Sequence, residues 1–346
     1  MANRICPRGC TRQSTHAPGR LMRPRRSGFT LLEILISVAV FSIILVIMLS
    51  VVSSTSTLTR RANDNISAYQ AARGAFDRLA ANLSQATLNT YWDYDNPALP
   101  NKYLRMSELH FLVGQSGTVP FPGTPGTGQA LFFQAPLGVS ATPAGRTMSG
   151  LLNTCGYFIE YGDTEALPAP FPAAAPRYRY RLMQTLEVSE NLEVYKPASP
   201  ADWLSGKAWI STASAVPIAE NVIYLAVWPR KSPADDPQGT ALTGTNGFSY
   251  NSRLDAGLIA QPATAHQMPP VIQITMVVLD ETTAAKVCLS STPPSSIAGA
   301  SGGLFVTPKA DEFAADLEKL QTNLANARLN YRVFSALIAI RESKME

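Results

Sequence analysis

The feature that most constrains this chain is a run of 24 residues, Phe29 to Val52, in which Glu33 is the only charged side chain. As a helix rising about 1.5 Å per residue it spans roughly 36 Å, enough to cross a bilayer core of about 30 Å. Seven arginines precede it (Arg4, Arg8, Arg12, Arg20, Arg23, Arg25 and Arg26) and no acid does. Positive flanks stay on the cytoplasmic side, so the rest of the chain is expected on the opposite face. An ordinary secretory signal has a shorter apolar region with a small-residue cleavage site directly behind it. Here neither holds, and an uncleaved signal anchor is the plain alternative.

Glu33 argues for something more specific. A carboxylate inside an apolar span is costly and usually has a partner or a task. It lies four residues after Phe29, one helical turn away. Cleavage of the Gly28–Phe29 bond would create a charged amine on Phe29, and Glu33 could then pair with that amine or a neighbour's. Gly28 suits such a cut because a side chain there would crowd a protease. Gly28-Phe29-Thr30-Leu31-Leu32-Glu33 resembles the type IV prepilin motif shared by pilins and type II secretion pseudopilins. The resemblance implies cleavage after Gly28 by a membrane prepilin peptidase, N-methylation of Phe29, and use of Glu33 to register subunits in an assembly. The 28-residue leader is long for this family, and Met22 offers a shorter start, Met22-Arg23-Pro24-Arg25-Arg26-Ser27-Gly28.

Charge follows the same boundary. Removing the seven leader arginines from 29 basic side chains leaves 22 against 25 acids. The basic character therefore belongs to the leader, and nucleic acid, which needs retained cations, is not an expected partner. Expected partners are prepilin peptidase, other pilin-like subunits through the N-terminal helix, and membrane lipid. The expected location is the cell inner membrane, single-pass, with the C-terminal part extracytoplasmic.

No proline occurs between Phe29 and Asn96. Beyond Val52, Ile66, Tyr69, Arg73, Phe76, Leu79, Leu83 and Thr87 keep three- and four-residue spacing, predicting an amphipathic stem to about residue 90 and a stop at Asn96-Pro97. The predicted organisation is a leader at 1–28, a membrane segment at 29–52, a stem at 53–95 and a β-rich head at 96–346. A separate amphipathic linker behind a simple anchor is the alternative. Ala75 to Ala86 resembles the post-anchor helix of J-type minor pseudopilins.

The head alternates short strands with loops rich in proline and glycine. Strands are predicted at Glu108–Val113, Gln129–Gln134, Gly156–Tyr161, Tyr178–Val188, Asn221–Trp228 and Val271–Leu279. Long loops fall at Pro120–Gly128, Leu167–Pro176, Pro229–Gly239 and Pro293–Gly303. Asp311–Leu329 reads as a helix, and Tyr331–Ile340 as either a final strand or its continuation. The fold class is α+β, a long N-terminal helix packed on an antiparallel sheet. Ala219–Trp228 followed by Pro269–Ile274 resembles the J-type pseudopilin head. The ending Arg332–Lys344 is similar to the Verru_Chthon cassette protein C family, which implies context but no reaction.

Signals for chemistry are sparse. Beyond the leader only His110 and His266 remain, and no zinc-protease, nucleophile-elbow or Walker sequence occurs. Gly114-Gln115-Ser116-Gly117 reads as a turn. Asp93-Tyr94-Asp95-Asn96 reads as a helix-ending turn, short of a calcium loop. Tyr91-Trp92 and Trp203 with Trp209 are expected to cover the core, with ligand binding by stacking as the alternative. Cys6 and Cys10 fall in the leader, leaving Cys155 and Cys288 as a disulfide in an oxidising compartment or as two buried thiols. No catalytic residue, cofactor or metal is expected, and the chain reads as a structural subunit, with an anchored enzyme or ligand-binding protein as the alternative.

Overall fold

The computed structural model describes residues 28–164, 176–195, 203–204, 208–210, 214–243, 247–254 and 261–345. The leader, with Cys6, Cys10, His16 and Met22, and most of the loop at Leu167–Pro176 lie outside the described residues. The chain divides into two units at Leu58 and Thr59.

The first unit is the N-terminal part of helix α1 (Leu31–Ser84). Its side chains from Leu31 to Val52 are exposed, and it is the one described helix long and apolar enough to cross a membrane. Several of its hydroxyls are satisfied inside the helix. Ser37 Oγ donates to the Glu33 carbonyl, Ser42 to Val38 and Thr55 to Val51 at 2.7–2.9 Å. A lipid-exposed helix needs this, since hydrocarbon offers polar groups no partner.

The second unit begins with the rest of α1, which supplies the stem. Ala72, Ala75, Phe76, Leu79 and Leu83 are buried at the spacing of one helical face. Arg73, which the spacing placed on that stripe, is exposed and pairs with Asp77 instead. The stem ends earlier than its periodicity suggests. Gln85 and Ala86 donate to the Asn82 and Leu83 carbonyls, tightening the last turn, and Thr87 N–H leaves the helix for the Gln134 carbonyl. Residues up to Asn96 are therefore not helical. Strand β1 (Tyr91–Tyr94) pairs with β2 (Tyr103–Met106) as a hairpin. Asp95 Oδ1 organises its loop by accepting N–H groups of Asn96, Asn101 and Lys102. Trp92 is 65 % exposed on this hairpin and does not cover the core.

The predicted single sheet is divided into three. Beside the hairpin, a six-stranded antiparallel sheet contains β3 (Leu112–Gln115), β4 (Gln129–Pro136), β5 (Leu152–Asp163), β6 (Tyr178–Glu187), β7 (Val216–Glu220) and β9 (Tyr250–Asn251), in the order β7-β6-β5-β4-β3-β9. A three-stranded sheet contains β8 (Val222–Arg230), β10 (Val271–Leu279) and β11 (Tyr331–Ala339), in the order β11-β10-β8. The final segment is thus a strand, not a continuation of the preceding helix. Among the described residues the head also carries three α-helices: α2 (Glu281–Val287), α3 (Ser295–Ser301) and α4 (Ala310–Asn326).

The first predicted strand begins four residues late. Asn89 Oδ1 accepts the N–H groups of Glu108 and Leu109, Gln134 Oε1 that of His110, and Ser252 Oγ that of Phe111. Side chains replace the ladder over this stretch, so it is apolar without being a strand. The two larger sheets meet where Leu225 N–H donates to the Thr127 carbonyl at 2.9 Å. Gly128, at φ +98°, permits this approach, because a Cβ there would lie 2.0 Å from the Leu225 carbonyl oxygen.

The six-stranded sheet is buried on both faces. Leu131, Phe133, Tyr157, Ile159 and Leu182 join the core that includes the stem residues and β8. Alternate residues Ala130, Phe132, Phe158 and Met183 face a smaller cluster with Trp203 and Leu204. The strict alternation is the two-residue period of a strand. Cys155 on β5 and Cys288 at the end of α2 are both buried and free. The structure holds them as two thiols, one of the two readings that the sequence left open. Burial pushes both thiols up, Cys288 to about 11.

A polar latch ties α2 to the six-stranded sheet. Arg179, 6 % exposed, donates to Glu281 at 2.7 Å, Arg177 reaches the same oxygen at 3.1 Å, and Asn221 Nδ2 donates to the other oxygen at 2.7 Å. Asn221 turns the chain between β7 and β8 at φ 62°, a conformation asparagine tolerates. Burial pushes the Glu281 carboxyl up, but the hydrogen bonds from Arg179 and Asn221 outweigh it, and the net value lies below the ordinary one. A depressed folded pKa stabilises above the unfolded value, about 4.3, and that stability is lost as pH falls through the folded pKa. Glu281→Ala is expected to cost about 2–3 kcal/mol at pH 7, because it strands a buried guanidinium. Its deficit against wild type should shrink below about pH 4. Denaturant titrations of both proteins at the two pH values measure this.

Candidate processing and assembly site

The residues singled out by the sequence lie together in the first unit. Gly28, Phe29 and Thr30 precede α1, and Glu33 stands in its first turn. The helix starts two residues later than the expected position at Phe29. Phe29 is therefore outside the helix, and the one-turn spacing from Phe29 to Glu33 is not in place in this structure. Among the described residues no cation reaches the Glu33 carboxylate.

Thr30 explains the start. Its Oγ1 accepts the Glu33 N–H at 3.3 Å, and its carbonyl accepts the Ile34 N–H at 3.2 Å. Thr30 is the N-cap and Glu33 the third helical residue, the positions of a Thr-x-x-Glu capping box. The Thr30 role was legible in the sequence as that spacing, although the motif match alone does not explain it. The arrangement also places a carboxylate among the free N–H groups of the first turn, where the helix dipole favours negative charge.

Gly28 has no structural reason to be glycine. A Cβ added there meets nothing within 4 Å. Phe29 is 76 % exposed, so the bond between them is open to a protease.

The residues considered for other chemistry are occupied. His110 Nδ1 accepts from Trp203 Nε1 at 2.9 Å, and its Nε2 lies 2.6 Å from Asn251 Oδ1. Burial pushes this imidazole down to about 3, so it stays neutral. His266 holds φ 53°, and its carbonyl accepts from Thr90 Oγ1. Gly114 and Gln115 end β3, and Gly117 turns the chain at φ 77°. Trp203 and Trp209 stack at 6.0 Å over the smaller core.

Residues 23–49 match the family model described as the prokaryotic N-terminal methylation motif. No curated protein matches the chain, and no solved structure matches it. The motif marks the chain as a type IV pilin-like substrate of prepilin peptidase and implies assembly with pilin-like subunits in general. With the apolar helix it points to membrane anchoring.

Proposed function

We propose that this protein is a structural subunit of a type IV pilus or pseudopilus-like assembly, cleaved after Gly28 and N-methylated at Phe29. The observation that carries the reading is the capped, exposed segment Gly28–Glu33 leading into an unburied apolar helix, within a matched methylation motif. The helix inserts into the inner membrane, with the head on the extracytoplasmic side. A large head with many loops suits a minor or priming component better than the bulk of a filament. The kinship with J-type pseudopilins and with the Verru_Chthon cassette protein C family belongs to this proposal. The protein is not read as an enzyme, since both ring nitrogens of His110 are taken by structural partners.

Glu33 is the assembly residue. Its carboxylate is exposed on an apolar helix, and in lipid such a charge calls for a cation. The methylated amine of a neighbouring Phe29 supplies one. Glu33→Ala is expected to leave membrane insertion normal and to abolish incorporation into the assembly. Carbonate extraction of membranes reads the first, and co-isolation with other pilin-like subunits reads the second. Unchanged incorporation favours the alternative, an anchored ligand-binding protein or enzyme that uses the segment as a tether.

A further inference from the structure

The outer edge of β11 carries an unsatisfied ladder. Ile340 N–H donates to the Pro270 carbonyl, and Asp280 N–H to the Asn330 carbonyl. These two bonds bracket an unbroken nine-pair register between β10 and β11. In an antiparallel ladder hydrogen-bonded pairs alternate. Even-numbered residues of β11 therefore bond to β10. The N–H and C=O groups of Tyr331, Val333, Ser335, Leu337 and Ala339 face the other way, and β11 is the edge of its sheet.

Other described edges are blunted or covered. β8, the opposite edge of the same sheet, is buried, and its Leu225 and Val227 N–H groups donate to the Thr127 carbonyl and to Gln129 Oε1. β7 has five residues, contains Pro217 and is interrupted by a bulge. β9 has two residues. The edge of β2 is closed by Gln261, whose amide exchanges two hydrogen bonds with the Arg105 backbone. β1 has four residues and carries Asp93. By contrast β11 is long and regular, without proline and with one charge, Arg332; Leu337 on it is 54 % exposed. Natural sheets rarely leave such an edge open, because it templates pairing with another chain.

We propose that β11 accepts an extended strand from a different pilin-like subunit anchored in the same membrane, extending the three-stranded sheet by β-augmentation. This rests on the assembly reading given above. The stem runs along β11 in the same direction: Arg332 lies over Tyr69, Phe334 against Phe76, and Arg341 N–H on the Ser84 carbonyl. A subunit bundled beside this helix is thereby brought to the strand. A second copy pairing β11 antiparallel with β11 would need a two-fold axis normal to the sheet. That axis sets the two stems antiparallel, whereas stems bundled side by side in one assembly run the same way. The incoming strand needs five alternate residues free of proline and apolar side chains beside Val333 and Leu337. Exposed Arg328 and Arg341 flank β11, which has no acid, so acidic ends on the incoming strand complement it.

The test is residue-resolved amide hydrogen exchange on the full-length protein, in isolated assemblies and as a detergent-solubilised monomer. The amides of Val333, Ser335 and Leu337 should exchange at least about tenfold more slowly in the assembly. Those of Phe334, Ala336 and Ile338 should be protected in both. Leu337→Pro removes one outward N–H, leaves the β10 ladder intact and spares the Ser335 Oγ–Thr275 Oγ1 hydrogen bond. Leu337→Lys changes only an exposed side chain. Both variants should be cleaved after Gly28 and melt like wild type, yet fail to enter the assembly. Fast edge exchange in assembled wild type, or assembly by both variants, overturns this inference alone. A cross-link between Val333→Cys and Leu337→Cys in two identical copies overturns it in favour of a second copy. Wild type that is cleaved but found only as a monomer overturns the assembly reading as well.

Discussion

Gly28→Arg is expected to leave the chain as full-length precursor in the membrane. Among the described residues nothing crowds this position, since a Cβ there meets no atom within 4 Å. The apolar run that drives insertion is untouched. The constraint therefore comes from the peptidase that must bring its reacting groups to the Gly28–Phe29 bond. Losing about 3 kcal/mol of transition-state binding slows cleavage on the order of a hundredfold, enough to make precursor the dominant species. Immunoblotting of membranes reads the two sizes directly. Efficient cleavage of Gly28→Arg would mean that another protease, at another bond, matures the protein.

The second large effect concerns the stem. Leu79 is fully buried on α1 at the face that joins the main core. Leu79→Ala should destabilise the head by about 3–5 kcal/mol, from lost burial plus the cavity left behind. Against a total of about 5–15 kcal/mol for a folded domain, that is a large share. Arg73→Ala, six residues earlier on the exposed side, loses only a solvent-accessible pair with Asp77 and should change stability by less than about 0.5 kcal/mol. Chemical denaturation of the full-length protein in detergent compares the two. Equal effects would contradict the assignment of the buried face.

The contrast between those two residues shows how far periodicity alone could be trusted. Helical spacing located Phe76, Leu79 and Leu83 correctly, because a buried face must repeat every three to four residues. It also admitted Arg73 and Thr87, which fit the spacing but not the burial. The end of the stem was hidden for a different reason. Nothing local stops the helix at Ser84; Thr87 leaves it for a carbonyl on β4, a contact 47 residues away in the chain. The central strand Val271–Leu279 was legible to the residue, since an apolar run rich in β-branched residues, interrupted only by Gln273 and Thr275 and led in by two prolines, reads as a core strand. β7 and β9 were not, β7 being short and carrying Pro217 and β9 only two residues long. Helix α2 was missed although Asp280 caps it in the usual way, its side chain accepting the Thr283 N–H at 2.6 Å.

The processing segment was the most legible part of the chain, and the structure altered its logic. Glu33 is held at the helix start by the Thr30 cap, not by a turn of helix shared with Phe29. The Gly28–Phe29 bond is intact in this structure, so a Glu33–amine pair, with its own or a neighbour's Phe29, can form only after cleavage.

The measurement that tests the central claim most directly is mass spectrometry of the mature N-terminus from native membranes. The account predicts a terminal peptide that begins at Phe29 and carries one N-methyl group. An intact leader, an unmethylated Phe29, or a terminus beyond Val52 would contradict it.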